Sequence, residues 1–261
     1  MVKHQISPLQ HGFFPGRSTV TNLVTTLEVI AKNMDMQTQT DVIYTDFEKA
    51  FDCIDHDLLI AKLSRMGIPD NLVIFLSSYL YGRKLYVFYK GIKSPNFCAT
   101  SGVPQGANLA TLLFLIFIND IAVDLGDEIV LFADDLKLFH SIQQLNDTST
   151  LQAKLIKLSN WCSKNRISLN IEKCAVLSFS RSTTPILTNY TINGRPLSRV
   201  TSFKDLGVTF HATLSFRQHY SIISTAASRA AGFIMRHCKK FSNLETLKMI
   251  YFLVGSIEVR I

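Results

Sequence analysis

The sequence predicts an α+β domain, and three observations carry that prediction. The chain has 261 residues, 47% hydrophobic and 18% charged, so it can bury a core and is neither disordered nor fibrous. Short runs of β-branched and aromatic residues alternate with longer stretches of helical periodicity, separated by Gly, Pro and Asp turn signals. Two apolar runs are separated only by Asp134-Asp135, which reads as a hairpin with two acids at its tip.

In chain order, Asp41-Val-Ile-Tyr-Thr-Asp46 is a strand by its β-branched and aromatic content. Asp55 or Asp57 offers an N-cap for a helix over Leu58 to Met66, stopped by Gly67 with Pro69 beyond. A second helix is expected over Asn71 to Tyr81. Leu85 to Tyr89 and Phe97 to Thr100 read as hairpin strands turning near Gly91. Asn108 to Ile121 is apolar nearly all round, as a fully buried helix would be. Glu128 to Ala133 and Leu136 to His140 form the acid-tipped hairpin, followed by an amphipathic helix over Leu145 to Lys164. Strands are expected at Ala175 to Ser180, Tyr190 to Ile192 and Ser202 to Phe210, and helices at about 215 to 240 and 243 to 254 close the chain.

The 27 Lys and Arg exceed the 20 Asp and Glu, but the excess is uneven. Residues 1–153 hold 11 basic and 16 acidic side chains, and residues 154–261 hold 16 and 4. Such a division suits a protein that gathers cations at one place and polyanions at another; chance clustering on solvated faces is the plainer alternative. The five cysteines are odd in number, spread out and without a C-x-x-C pair, which points to reduced thiols inside a cell. Met1 to His4 begins no apolar run, so a cleaved signal peptide is not expected. Ser94 to Asn119 is uncharged, but its purely apolar part, Leu112 to Ile118, is too short to cross a bilayer and reads as a core helix.

Adjacent carboxylates at the edge of a hydrophobic core repel each other and lose solvation. Asp134 and Asp135 therefore need either a cation or a turn open to water, and a solvated turn accounts for them equally well. Asp46 ends another apolar strand. If the two strands are neighbours, Asp46 and Asp134 converge on a pair of hard cations, the arrangement in-line phosphoryl or nucleotidyl transfer requires. Spacing alone leaves the convergence open. The seven histidines show no ligand pattern.

Six motifs in order then carry a resemblance: Gln10-His-Gly-Phe-Phe-Pro-Gly-Arg-Ser-Thr19, Thr45-Asp-Phe-Glu-Lys-Ala-Phe-Asp52, Ser101-Gly-Val-Pro-Gln-Gly106, Phe132-Ala-Asp-Asp135, Leu169-Asn-Ile-Glu-Lys-Cys174 and Lys204-Asp-Leu-Gly-Val208. Together they resemble the reverse transcriptase domain of non-LTR retrotransposons, particularly the jockey-like LINE type, over almost the whole chain. The resemblance implies a right-hand polymerase palm, an antiparallel sheet with helices packed on one face. It divides the chain into partial fingers over 1–40, palm with residual fingers elements and a primer-grip hairpin over 41–210, and the start of a helical thumb over 211–261. It implies RNA-directed DNA polymerisation from a DNA primer on an RNA template with dNTPs and two Mg²⁺ ions, Mn²⁺ being the alternative metal. It implies an intracellular protein, nuclear or cytoplasmic, in a ribonucleoprotein; no membrane and no obligate protein partner is inferred.

Residue by residue, the resemblance makes Asp46, Asp134 and Asp135 the catalytic and metal-binding acids and Lys173 the proton donor to departing pyrophosphate. Phe47, Phe51, Gln105 and Gly106 would contact the nucleotide, with Phe51 excluding a 2′-hydroxyl. Arg17, Leu206, Gly207, Arg229, Arg236 and Lys240 would hold template and primer. Without it, Phe51 is a core residue, Gln105 belongs to a proline turn and helix start, and Lys173 is a solvated charge. In the penultimate helix Ile223, Ala227, Ala230, Ile234 and Cys238 fall on one face and Arg229, Arg236 and Lys240 on another, fit for a phosphate backbone or simply solvated.

The chain departs from the family at Phe14, where arginine is usual, and at Ala107-Asn-Leu-Ala-Thr111, which replaces Ser-x-Leu-Gly-Pro. It also starts at the second family motif, lacks the endonuclease expected upstream, and breaks off early in the thumb. The expectation is a retroelement-derived palm with partial fingers and a stub of thumb, which binds nucleic acid weakly and extends a primer poorly or not at all. The alternative function is a noncatalytic nucleic-acid-binding remnant.

Overall fold

A computed structural model describes residues 5–237, 243–246, 248–249 and 252. After an N-terminal loop, α1 (Thr19–Asp35) starts at Ser18, whose side chain accepts from the Thr21 backbone N–H while the Thr21 hydroxyl oxygen accepts from the Ser18 N–H. Strand β1 (Gln39–Thr45) is buried at every position. Helix α2 (His56–Arg65) is capped by Asp55, which accepts from the Leu58 N–H at 3.0 Å, and ends at Gly67 in the left-handed region. Helix α3 (Asp70–Leu80) follows.

A projecting ribbon comes next: β2 (Lys84–Leu85) pairs with β5 (Phe97–Cys98), and β3 (Phe88–Tyr89) with β4 (Ile92–Lys93), turning at Lys90-Gly91 as expected. Helix α4 (Asn108–Ile118) is the expected core helix, buried throughout Leu113 to Ile118; a break at Asn119-Asp120 separates it from α5 (Ile121–Leu125). The acid-tipped hairpin is β6 (Ile129–Phe132) and β7 (Asp135–Ile142). Helix α6 (Asp147–Asn165) stops at Arg166 in the left-handed conformation. Strand β8 (Ala175–Phe179) precedes the short strands β9 (Thr191–Ile192), β10 (Arg195–Pro196) and β11 (Ser198–Val200). The expected run over Ser202 to Phe210 is a tight hairpin of β12 (Ser202–Asp205) and β13 (Val208–His211), turning on Leu206 and Gly207, both with positive φ. Helix α7 (Arg217–His237) is the last full element described; within the expected 243–254 helix, residues 244–246, 248–249 and 252 are helical, while 247, 250, 251, 253 and 254 lie outside the described residues, as do Cys238 and Lys240.

The five-stranded sheet has the order β11-β8-β1-β7-β6, with β1 central and antiparallel to β7 and β8. Only β11, beside β8, runs parallel to its neighbour. The expectation that helices cover one face is corrected. Ile43, Leu136, Leu138 and Val176 point into one cluster with α2, α3, α4 and α6. Val42, Tyr44, Phe139 and Leu177 point the other way, into a second cluster with Ile30 and Met34 of α1 and Phe210 of β13. Strand side chains alternate in direction, so a strand apolar at consecutive positions must be covered on both faces.

Helix α1 was not foreseen. Its buried stripe, Asn22, Thr26, Ile30 and Met34, has helical spacing, but half of it is polar.

Candidate active site

The register of the sheet brings the three acids to one end. Thr45 pairs with Leu136 across β1 and β7, so Asp46 lies one residue beyond β1 beside Asp135, with Asp134 in the adjoining turn. Burial pushes the Asp134 carboxyl above the ordinary aspartate value, and the negative charge of Asp46 adds to the rise. Asp135 is pushed up to about 6 by desolvation first and then by Asp134, Asp205 and Asp46, with Lys137 opposing. Asp135 is nonetheless exposed at its surface. It stands in an open recess walled by protein, so the upward direction holds while water moderates its size.

The turn that carries Asp134 is held from the N-terminal loop. The buried Gln10 side chain accepts from the Ala133 N–H at 2.9 Å and the Gly12 N–H at 2.7 Å, and backbone bonds join Leu9 and His11 to Leu131. Ala133 has a φ of +56°, a conformation L residues occupy only when their surroundings impose it. A Cβ on Gly12 would lie 2.2 Å from the Ala133 nitrogen, so this approach admits only glycine. Gly12→Ala should therefore displace the loop or the acid turn, read as a loss of thermal stability of roughly 1–3 kcal/mol.

Beneath Asp135 lies a buried ionic junction. Lys137, 1% exposed, points to the α1 face, where Nζ donates to Asn22 Oδ1 at 2.5 Å and pairs with Asp205 Oδ2 at 2.5 Å. Asp205 Oδ2 is buried with the Lys137 ammonium as its counter-charge, a short ion pair. Burial lowers the Lys137 pKa and raises that of Asp205, each opposed by the other's charge. One side chain thus ties the strand of Asp135 to α1 and to the β12–β13 hairpin.

A second set of residues gathers beside Phe51. Its ring stacks on Phe114 at 4.3 Å and is only partly buried. The Gly102 N–H donates to the Ile54 carbonyl, the Val103 N–H to that of Phe51, and Gln105 Nε2 to Asp52 Oδ1 at 2.9 Å. Gly102 packs so closely on Asp52 that a Cβ would meet its backbone at 2.7 Å. Gly106, with φ of +87°, has open space where a side chain would be. Phe47 differs from the expectation of an open nucleotide contact: it is 4% exposed, with its ring in the core against Trp161.

The Lys173 ammonium lies 3.2 Å from Asp46 Oδ2, in a loop docked by the Asn170 N–H on the Asp46 carbonyl. Leu206 lines a small cavity with Asp135 and Lys137, so the hairpin turn of Leu206 and Gly207 stands next to the acids. Arg17 is folded back on the N-terminal loop, donating to the carbonyls of Pro8 and Gln10 and lying 5.0 Å from the Phe14 ring centroid. Arg229 and Arg236 are exposed on α7.

The donor set fits divalent cations in its chemistry: hard carboxylate oxygens whose mutual repulsion a cation would relieve. Among the described residues no three His, Cys, Asp or Glu side chains are grouped so that they could hold a metal ion by themselves. Mg²⁺ is commonly held by one or two carboxylates together with substrate phosphates, so an open acidic end suits it.

A central sheet delivering three acids to one end, flanked by helices and a tight hairpin, is consistent with a polymerase palm. Residues 1–210 match the reverse transcriptase (RNA-dependent DNA polymerase) family, and the chain belongs to it. The RNA-directed DNA polymerase from mobile element jockey of Drosophila melanogaster is 29% identical over 234 residues, covering 86% of this chain and 25% of that protein. The probable RNA-directed DNA polymerase from transposon BS of the same organism is 29% identical over 230 residues, 84% of this chain and 25% of that one. The chain spans about a quarter of the length of these curated relatives. Telomerase from Candida tropicalis, solved with a TWJ fragment of telomeric RNA, superposes with a TM-score of 0.56 at 12% identity, over 91% of this chain and 40% of the telomerase. Its apo form gives 0.51 at 13% identity, over 92% and 43%. At such identity the likeness shows the fold alone.

Proposed function

We propose that this chain is the palm-centred part of an RNA-directed DNA polymerase, extending a DNA primer on an RNA template with dNTPs. Convergence of Asp46, Asp134 and Asp135 at one end of the sheet carries the reading. Asp46 and Asp134 would hold two Mg²⁺ ions, or Mn²⁺, with Asp135 supporting them. Such ions supply activation of the primer 3′-hydroxyl and neutralisation of the triphosphate. Lys173, whose ammonium lies 3.2 Å from Asp46 Oδ2, would give a proton to departing pyrophosphate. Gln105 and Gly106 border the nucleotide, and Leu206 and Gly207 support the primer end. Residues 1–40 act as fingers, 41–210 as palm and 211–261 as the beginning of the thumb, where Arg229, Arg236 and Lys240 follow the phosphate backbone. Arg17, engaged with loop carbonyls, would reach the template only by leaving them. The site belongs inside the cell, in a ribonucleoprotein.

Phe51 is assigned the exclusion of a 2′-hydroxyl by steric clash. Phe51→Val should raise ribonucleotide relative to deoxyribonucleotide incorporation, measured by single-nucleotide addition, and an unchanged ratio returns Phe51 to a packing role. A second reading, nucleic-acid binding without catalysis, is favoured by Phe14, which packs against the core where the family usually has a cation. Both readings require RNA binding that weakens with salt, the slope of log affinity against log salt being about −0.7 per phosphate contacted. Primer extension separates them.

A further inference from the structure

The ribbon of β2 to β5 takes no part in the site above, yet it is the most unusual surface of the fold. Every residue of its four strands is exposed, and so are Tyr86 and Val87 between them. Tyr86 is 51% exposed, Phe88 and Tyr89 each 67%, and Phe97 50%. An isolated two-stranded ribbon is marginally stable in water, and a contiguous exposed apolar surface of this kind marks an interaction site.

The charge around these rings identifies the partner. No acidic residue occurs between Asp70 and Asp120, whereas Arg83, Lys84, Lys90 and Lys93 all fall on or beside the ribbon. This basic island lies in the acidic part of the chain. Two of its cations already lie over ring faces: Lys93 Nζ is 4.0 Å from the Tyr86 centroid and Lys90 Nζ 5.4 Å from that of Tyr89. Cations interleaved with exposed aromatic rings suit a strand whose bases displace the lysines from the rings and whose phosphates then take them up, and a sequence-tolerant surface for single strands needs nothing more. A groove lined by Arg83, Leu85 and Phe97 runs from the ribbon to Gln105, with the Asp52 carboxylate on its wall already engaged by Gln105. The ribbon is thereby continuous with the proposed nucleotide side of the site.

We propose that the ribbon is a docking surface for single-stranded RNA, with bases stacking on Tyr86, Phe88 and Tyr89 and phosphates held by Lys84, Lys90 and Lys93. The inference rests on the reading of the chain as an RNA-binding polymerase and deepens it by naming where an unpaired stretch of template leaves the site. It needs no catalysis and no metal.

The test uses the full chain and a labelled 12-mer of oligo(U), titrated at several salt concentrations. Tyr86→Ala and Phe88→Ala should each weaken binding about tenfold. The triple variant Lys84→Gln, Lys90→Gln, Lys93→Gln should flatten the salt slope by about 2, at about 0.7 per lysine. All the substituted side chains are exposed, so circular dichroism should be unchanged, and the lysine set supplies a readout that does not depend on ring packing. Wild-type affinity and slope in both sets would overturn the ribbon while leaving RNA binding elsewhere intact. No binding by the wild-type chain would instead remove the RNA-binding reading itself. Concentration-dependent self-association abolished by the alanine variants, with RNA affinity unchanged, would make the ribbon a protein interface and also overturn the proposal.

Discussion

Asp46→Asn and Asp134→Asn are each expected to abolish metal-dependent nucleotide incorporation, by at least about 10³-fold, with the fold unchanged. The direction follows from the geometry. Each substitution removes a hard anionic donor from an acidic end where, among the described residues, no group of three such side chains could hold the ion by itself. Stability should be level or slightly raised, because Asp46 and Asp134 are only partly buried and Asp46 adds to the electrostatic burden on Asp134. A thermal melt beside the incorporation assay separates loss of chemistry from loss of structure. Asp135→Asn should have a smaller effect than Asp134→Asn, since Asp135 is assigned a supporting role.

Lys137→Met is expected to carry the largest stability loss, on the order of 3–5 kcal/mol, because it leaves the Asp205 carboxylate buried without its counter-charge. The double variant Lys137→Met, Asp205→Leu should recover most of that loss, since a packed apolar pair replaces a desolvated ionic one. Urea denaturation of the three chains measures both effects. The pH dependence has a definite sign. Burial already raises the Asp205 pKa, and removing Lys137 raises it further. Folding is then penalised only where the carboxyl is ionised in the unfolded chain, so the single variant's deficit should shrink as pH falls toward the unfolded aspartate value and grow as pH rises above it. A deficit independent of pH, or equal in the double variant, would mean that lost packing rather than the unpaired charge is responsible.

The strands and the acids were legible because their signals are local. Apolar runs ending in Asp46 and enclosing Asp134-Asp135 mark the strands and the acids at their ends, while only the pairing of β1 with β7 brings those acids together, and the run Val42-Ile43-Tyr44 already carries the sign of a strand covered on both faces. What escaped depends on partners far along the chain. Gln10 and Gly12 read as loop residues until folding sets them against Ala133. Lys137, alternating with Leu136 and Leu138, has the pattern of a solvent-facing position, and only Asn22 and Asp205, from two distant elements, make it a buried one. Helix α1 escaped because its buried stripe begins with Asn22 and Thr26, which bond locally and to the sheet instead of repelling water. The family motifs placed Phe51 and Gln105 near one another, and the clamp of Gly102 on Asp52 gives the physical reason. Phe47 shows the limit of such a carry-over, since neighbouring residues of one motif can face opposite directions.

Nucleotidyl transfer at the acidic end of the sheet is the activity proposed for this chain. It is tested most directly by incorporation of a single dNTP into a labelled DNA primer on an RNA template, with the chain in excess over primer so that slow chemistry is visible. Slow addition of the templated nucleotide is expected from the wild-type chain in Mg²⁺ or Mn²⁺, with none in EDTA and none by Asp134→Asn under any condition. Incorporation that persists in EDTA or in Asp134→Asn would contradict this assignment, and none from the wild-type chain would leave nucleic-acid binding without catalysis as the function.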